Sequence, residues 1–122
     1  MMKKQIFKSV LVVSVVFLSQ SCTTAIIDEG NVSTLPPLTR TVTYQSDVES
    51  IMFNNCITCH GGQAPIDGLD LSTYQNTRSA AEQRNLIQRM NDAANPMPPQ
   101  GLLTPEIRQI MDKWITDGLL EQ

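Results

Sequence analysis

Histidine occurs once in this chain of 122 residues, cysteine three times, and aromatic residues make up only 5%. A single histidine excludes any centre that needs two imidazoles from one chain, whether a bis-histidine metal site or a paired acid–base device. Three cysteines are too few, and odd in number, for a disulfide framework. Few aromatic rings leave a thin core for a domain this small. Basic residues number nine against twelve acidic ones, for a formal charge of −3. That balance argues against binding nucleic acid or anionic lipid headgroups. Long apolar runs are also missing. The longest, residues 10–18, is interrupted by Ser14 and falls short of the roughly 20 residues a membrane-spanning helix needs. No internal repeat occurs, and no stretch reads as a strand. The expected class is all-α.

What is present begins at the N-terminus. Lys3, Lys4 and Lys8 precede the short apolar run, and small and polar residues follow it. This order marks residues 1–21 as an export signal. Leu18-Ser19-Gln20-Ser21-Cys22 then resembles a bacterial lipobox, although the aliphatic and small residues usual before the final pair are replaced by Ser19 and Gln20. The resemblance implies that Cys22 is lipidated and becomes the mature N-terminus. Several acyl chains would hold the protein stably on a membrane, where one chain would be marginal. Without the three signal lysines, six basic side chains face the same twelve acidic ones, and the formal charge becomes −6. Such a surface suits steering toward a basic docking patch.

Residues 22–42 combine Pro36-Pro37 with scattered Thr and Ser and show no periodicity. They read as a flexible tether. The domain is expected over 43–122. A first helix is expected over 47–60, with Ser46 and Glu49 as its capping box. The glycine- and proline-containing stretch 61–68 reads as a loop. Ser72 or Thr73 could begin a short helical turn, and a clearer helix is expected from Ser79 to about Asn91, with Glu82 in the capping position. Residues 95–101, with Pro96, Pro98 and Pro99, cannot be helical. The last helix has the fullest set of signals. Thr104 caps it, Pro105 takes its first position, Glu106 complements the dipole, and Gly118 ends it. Ile107, Ile110, Met111, Trp114 and Ile115 form its apolar stripe.

Cys56-Ile57-Thr58-Cys59-His60 is a C-x-x-C-H sequence, the attachment signature of c-type haem. Near-helical spacing lets each thiol add across one of the two haem vinyl groups, and the next residue, His60, lies in place to bind the iron. Two other chemistries use C-x-x-C. A thiol–disulfide pair expects a βαβ setting, which is absent from the pattern. Structural zinc usually takes four ligands, and beyond these three the chain offers only Cys22 or carboxylates. With one haem and one lipid, every cysteine has a role. A buried porphyrin would also supply apolar surface to the thin core, with Trp114 and Phe53 as packing partners.

The opposite axial ligand must come from elsewhere, since His60 has no second histidine to pair with. Outside the signal the methionines are Met52, Met90, Met97 and Met111. Met52 and Met111 fall on apolar helical faces, and Met90 ends one. Met97 stands between Pro96 and Pro98, where no helix or strand accounts for it. A proline-stiffened loop is suited to holding a thioether sulfur at iron. Met97 is therefore the expected distal ligand, with Met90 as the alternative.

Taken in order, Val48-x-x-Ile51, Cys56 to Gly61, Gly68-Leu69-Asp70-Leu71, Met97-Pro98-Pro99 and the helix containing Trp114-Ile115 and Gly118 resemble a small bacterial class I-type cytochrome c domain. The likeness runs over nearly all of 44–119. It implies an all-α fold whose N- and C-terminal helices cross beside one covalent haem, with His60 proximal and Met97 distal. It also implies a backbone carbonyl orienting the His60 imidazole, for which Pro65 is the candidate here. Arg89 and Tyr74 are candidate partners for the haem propionates.

The expected function is single-electron transfer on the periplasmic side of a bacterial membrane, between redox proteins with basic docking surfaces such as a respiratory oxidase or dehydrogenase. The expected protein is a carrier and not an enzyme. A peroxidase would want a second histidine for proton transfer. A haem-based sensor or small-ligand binder is the alternative, and needs a displaceable or absent sixth ligand. A relay subunit of a larger complex would look the same in sequence.

Overall fold

The computed structural model describes residues 35–122. The expected signal segment, Cys22 and the first part of the tether lie outside the described residues. Among those residues the chain is helical and has no strand. Its elements are a π-helical turn Tyr44–Val48 that runs directly into α1 (Glu49–Asn55), a 3-10 turn Ile66–Gly68, α2 (Tyr74–Gln83), α3 (Leu86–Asn91) and α4 (Pro105–Thr116).

The first helical segment starts three residues earlier than its sequence pattern indicates, because Thr43 caps it in place of Ser46. The Thr43 hydroxyl accepts from the Ser46 N–H at 3.4 Å, and the Thr43 N–H donates to Asp47 Oδ2 at 3.2 Å. Val48 and Glu49 donate to the carbonyls five residues back, which makes the opening turn wide. Arg40 Nη1 pairs with the same Asp47 carboxylate at 2.9 Å, and this guanidinium bond holds the Asp47 carboxyl below its usual range. Part of the expected tether is thus packed on the domain. Val42 is fully buried with its N–H on Asp117 Oδ2 at 2.8 Å, Leu38 lies against the core, and Gln109 Nε2 reaches the Pro36 carbonyl at 2.8 Å. Contacts with the helical domain thus extend to residues before 43.

The middle helices also divide differently. Thr73, whose hydroxyl accepts from the Asn76 N–H at 3.3 Å, caps α2, and Ser79 lies in its interior. The expected helix 79–91 is broken at Asn85, which takes a left-handed conformation (φ 56°) and turns the chain into α3. Asparagine tolerates that region better than most residues. The helix α4 begins at Thr104 and Pro105 as its sequence indicates, and the chain leaves it through Gly118 at φ 92°.

Trp114 and Met52 are the largest fully buried side chains, joined by Leu71, Met111, Val42 and Val48. The first helical segment meets α4 through Tyr44, whose ring lies 6.1 Å from that of Trp114 and 5.5 Å from that of Tyr74. The C-terminal residues close over this cluster. Tyr44 N–H donates to the Leu120 carbonyl (2.9 Å), as does Trp114 Nε1 (2.9 Å), and the Tyr74 hydroxyl donates to the Leu119 carbonyl (2.9 Å). The polar tips of the Trp114 and Tyr74 rings are thereby satisfied. Phe53, expected inside, is 69% exposed. Val48, Ile51 and Met52 take the inner face of this segment, and residue 53 falls on the opposite side. No helix among the described residues is long and apolar enough to cross a membrane.

Candidate functional site

The end of α1 delivers the cysteine–histidine motif into a tight series of turns. Cys56 donates its N–H to Met52 O at 2.9 Å, and His60 donates to Cys56 O at 2.8 Å, so the motif keeps near-helical bonding while α1 itself stops at Asn55. The exit is fixed by Gly61. A Cβ at that position would stand 2.6 Å from Ile57 Cγ2 and 2.8 Å from the Ile57 carbonyl oxygen. Glycine here is a packing requirement, and it lets the backbone turn away directly after His60. The Leu71 N–H then donates to the His60 carbonyl at 2.7 Å, bringing the 69–71 strip back across the motif.

On the far side, α3 ends at Asn91 and the chain makes an irregular excursion to Thr104. The Asp92 carboxylate accepts from Ala94 and Asn95 N–H at 2.9 and 3.2 Å, and Gly101 N–H turns back onto the Pro98 carbonyl at 3.2 Å. At its centre the Met97 N–H donates to the Arg89 carbonyl at 3.0 Å, fastening the loop to α3.

These pieces enclose one cavity of about 520 Å³, within the range of roughly 300–1,000 Å³ common for small-molecule sites. Cys56, Cys59, His60 and Met97 all line it. Its apolar wall comes from Leu69, Leu71, Leu86, Met90, Pro98 and Pro99, and its polar side includes Arg84 and Arg89. Of the four methionines considered, Met90 and Met97 reach the cavity, while Met52 and Met111 are fully buried in the core. Trp114 is not among the lining residues, and neither is Tyr74, whose hydroxyl is engaged with Leu119. The exposed Phe53 does not line it either. Arg84 has no counterpart in the sequence-based expectations. It sits at the α2–α3 break, and its only local signal is the neighbouring Asn85.

The donor groups themselves bear on what the cavity takes. His60 Nδ1 is buried without a hydrogen-bond partner. The expected Pro65 carbonyl therefore does not serve it; that oxygen accepts from the Gly68 N–H at 3.0 Å. A buried polar atom left unmatched costs about 1–3 kcal/mol, so a partner that reaches this nitrogen would stabilise the site. Burial pushes the Cys56 thiol up to about 11. That is opposite to the lowered value a thiol–disulfide nucleophile needs. Among the described residues no group of three or more His, Cys, Asp and Glu side chains is placed to hold a metal ion. An apolar, planar group carrying two alkene arms and a metal that accepts nitrogen and sulfur suits the lining better than a bare ion. Haem with its two free vinyl groups has these properties, and the residues present fit it. No family model matches this chain, and no curated protein or solved structure matches it.

Proposed function

We propose that the chain is a mono-haem c-type cytochrome that transfers single electrons and is not an enzyme. The observation that carries this reading is the convergence of Cys56, Cys59, His60 and Met97 on one cavity with an apolar wall. When bound, haem supplies a one-electron ferric/ferrous couple. The residues have separate tasks around it. Cys56 and Cys59 would hold it through thioethers to its two vinyl groups, an addition of S–H that needs no oxidant and releases nothing. His60 and Met97 would hold its iron, a nitrogen–thioether pairing that favours a relatively high potential. Leu71, Leu86 and Met90 exclude water. Arg84 and Arg89 neutralise carboxylates such as the propionates.

The architecture proposed is a cytochrome c-like all-α fold with its N- and C-terminal helices crossing. The Tyr44–Trp114 contact between the first helical segment and α4 supports it. The sequence supports export, lipidation at Cys22 and residence on the periplasmic side of a bacterial membrane, and the acidic surface suits redox partners with basic patches. Cys22→Ser should release the protein from membranes; full retention would refute lipidation as the anchor.

The reading is tested by absorption spectroscopy of the mature protein. A ferrous haemochrome typical of two thioethers and slow carbon monoxide binding are expected. Rapid carbon monoxide binding to a five-coordinate ferrous protein would replace the electron carrier with a haem-based sensor.

A further inference from the structure

We infer that Arg108 is a positioning residue for Met97: its guanidinium pins both ends of the irregular segment that carries the thioether. The inference rests on the axial role proposed for Met97. Arg108 lies on α4 and is only 5% exposed. Its Nη1 donates to Asn91 Oδ1 at 3.2 Å, at the point where the chain leaves α3. Its Nε donates to the Leu103 carbonyl at 3.0 Å, just before the chain enters α4. Asn91 is itself held, because its Nδ2 donates to the Ile87 carbonyl and to Asp112 Oδ1, both at 3.2 Å. The two helices and both feet of the loop are thus joined through one buried cation.

The loop needs such a device. Ala93, Ala94, Asn95, Pro99 and Gln100 are exposed, and Pro96, Met97 and Pro98 are only half-buried, so the segment has little core packing of its own. The Asp92 and Pro98 turns stiffen it locally without fixing it to the helices. Met97 N–H on Arg89 O is one tie to the scaffold, and the Arg108 bonds set where the feet of the loop stand. A small displacement of a ligand is expensive when its supporting contacts are lost. Lysine is a poor substitute, because a planar guanidinium offers several donors in a fixed fork and an ammonium does not. Arg108 is not among the residues that line the cavity, so its effect should be read in methionine ligation and not in haem attachment.

The test is a pH titration of the long-wavelength sulfur-to-ferric-iron absorption band in haem-loaded native protein, Arg108→Gln, Arg108→Lys and Asn91→Ala, with denaturant stability measured in parallel. Arg108→Gln should keep both thioethers and weaken methionine ligation about tenfold, so that the band is lost about one pH unit earlier. Carbon monoxide should bind the ferrous variant about tenfold faster. Arg108→Lys should fall between native and Gln. Asn91→Ala, which leaves the Leu103 bond intact, should show a smaller shift in the same direction, and provides the reading if Arg108→Gln does not fold. An arginine with a purely structural role would lower denaturant stability and leave the band midpoint unmoved. An unmoved midpoint in folded variants of a native protein that shows the band overturns this inference alone. A native protein lacking the band overturns the axial role of Met97, and this inference with it.

Discussion

The backbone N–H of Met97 donates to the carbonyl of Arg89 at 3.0 Å, so the loop methionine is tied to the last turn of α3. Because the tie is made by the main chain, it survives replacement of the side chain. Met97→Ala should therefore fold, keep its covalent haem, and lose the sulfur-to-iron band. Its folding stability should fall by about 1–2 kcal/mol, below the roughly 2–5 kcal/mol of a fully buried methionine, since Met97 is half-buried. Denaturant titration and absorption spectra of the same samples check both outcomes. A retained band would pass the axial role to Met90.

Gly61 is the tightest point of the motif. A methyl group there meets both a branched side chain and a backbone carbonyl of Ile57, and the carbonyl cannot move without disturbing the turn that presents His60. Gly61→Ala should cost about 1–3 kcal/mol, measured by chemical denaturation. Ile57→Ala removes the Cγ2 obstacle but not the carbonyl, so it should restore only part of the loss. Full stability in Gly61→Ala would show that the turn relaxes freely.

What could be read from the sequence followed the locality of the signals. The helix α4 carries its own cap, first-position proline, apolar stripe and terminating glycine, all within residues 104–118, and it forms where they indicate. The two other caps were ambiguous because Thr43 and Ser46, or Thr73 and Ser79, are equally good cap residues with acidic or polar partners nearby. The long-range ties to Asp117, Leu120 and Glu121 favour the earlier start in the first segment. Asn85 was a legible helix break that the apolar pattern of Leu86, Ile87 and Met90 concealed. Phe53 illustrates a composition argument misleading a geometric one: a scarce aromatic invites a core role, yet its position falls off the stripe of Val48, Ile51 and Met52. At the site, the cysteines, histidine and proline-flanked methionine were all identifiable by residue type. Arg84 and Arg108 were not, since their places depend on how α2, α3 and α4 pack.

Asp117 links the entering chain to α4. Its carboxylate accepts from the Lys113 ammonium and from the Val42 N–H at 2.8 Å. The Lys113 hydrogen bond first, and the Val42 bond second, hold its carboxyl below the usual range. A carboxyl lowered in the folded state stabilises the protein above its ordinary unfolded value, near 4, and loses that contribution as pH falls through the folded value. Asp47, lowered by Arg40, acts in the same direction. The melting temperature should thus drop as pH is taken from 5 toward 2. Asp117→Asn should melt lower than native at pH 7 and show a shallower acid decline. Parallel melting curves at pH 7 and pH 3 check this, and an unchanged difference between the two proteins would remove Asp117 from the acid response.

The central claim is covalent attachment at Cys56 and Cys59, and one digest reads it directly. Trypsin cutting after Arg40 and Arg78 releases residues 41–78, which contain the whole cysteine–histidine motif and no internal Lys or Arg. Mass spectrometry of that peptide from protein matured with a c-type haem assembly apparatus should show the mass of one haem added, with neither cysteine open to alkylation. The same peptide at its unmodified mass, with Cys56 and Cys59 both alkylated, would contradict the claim.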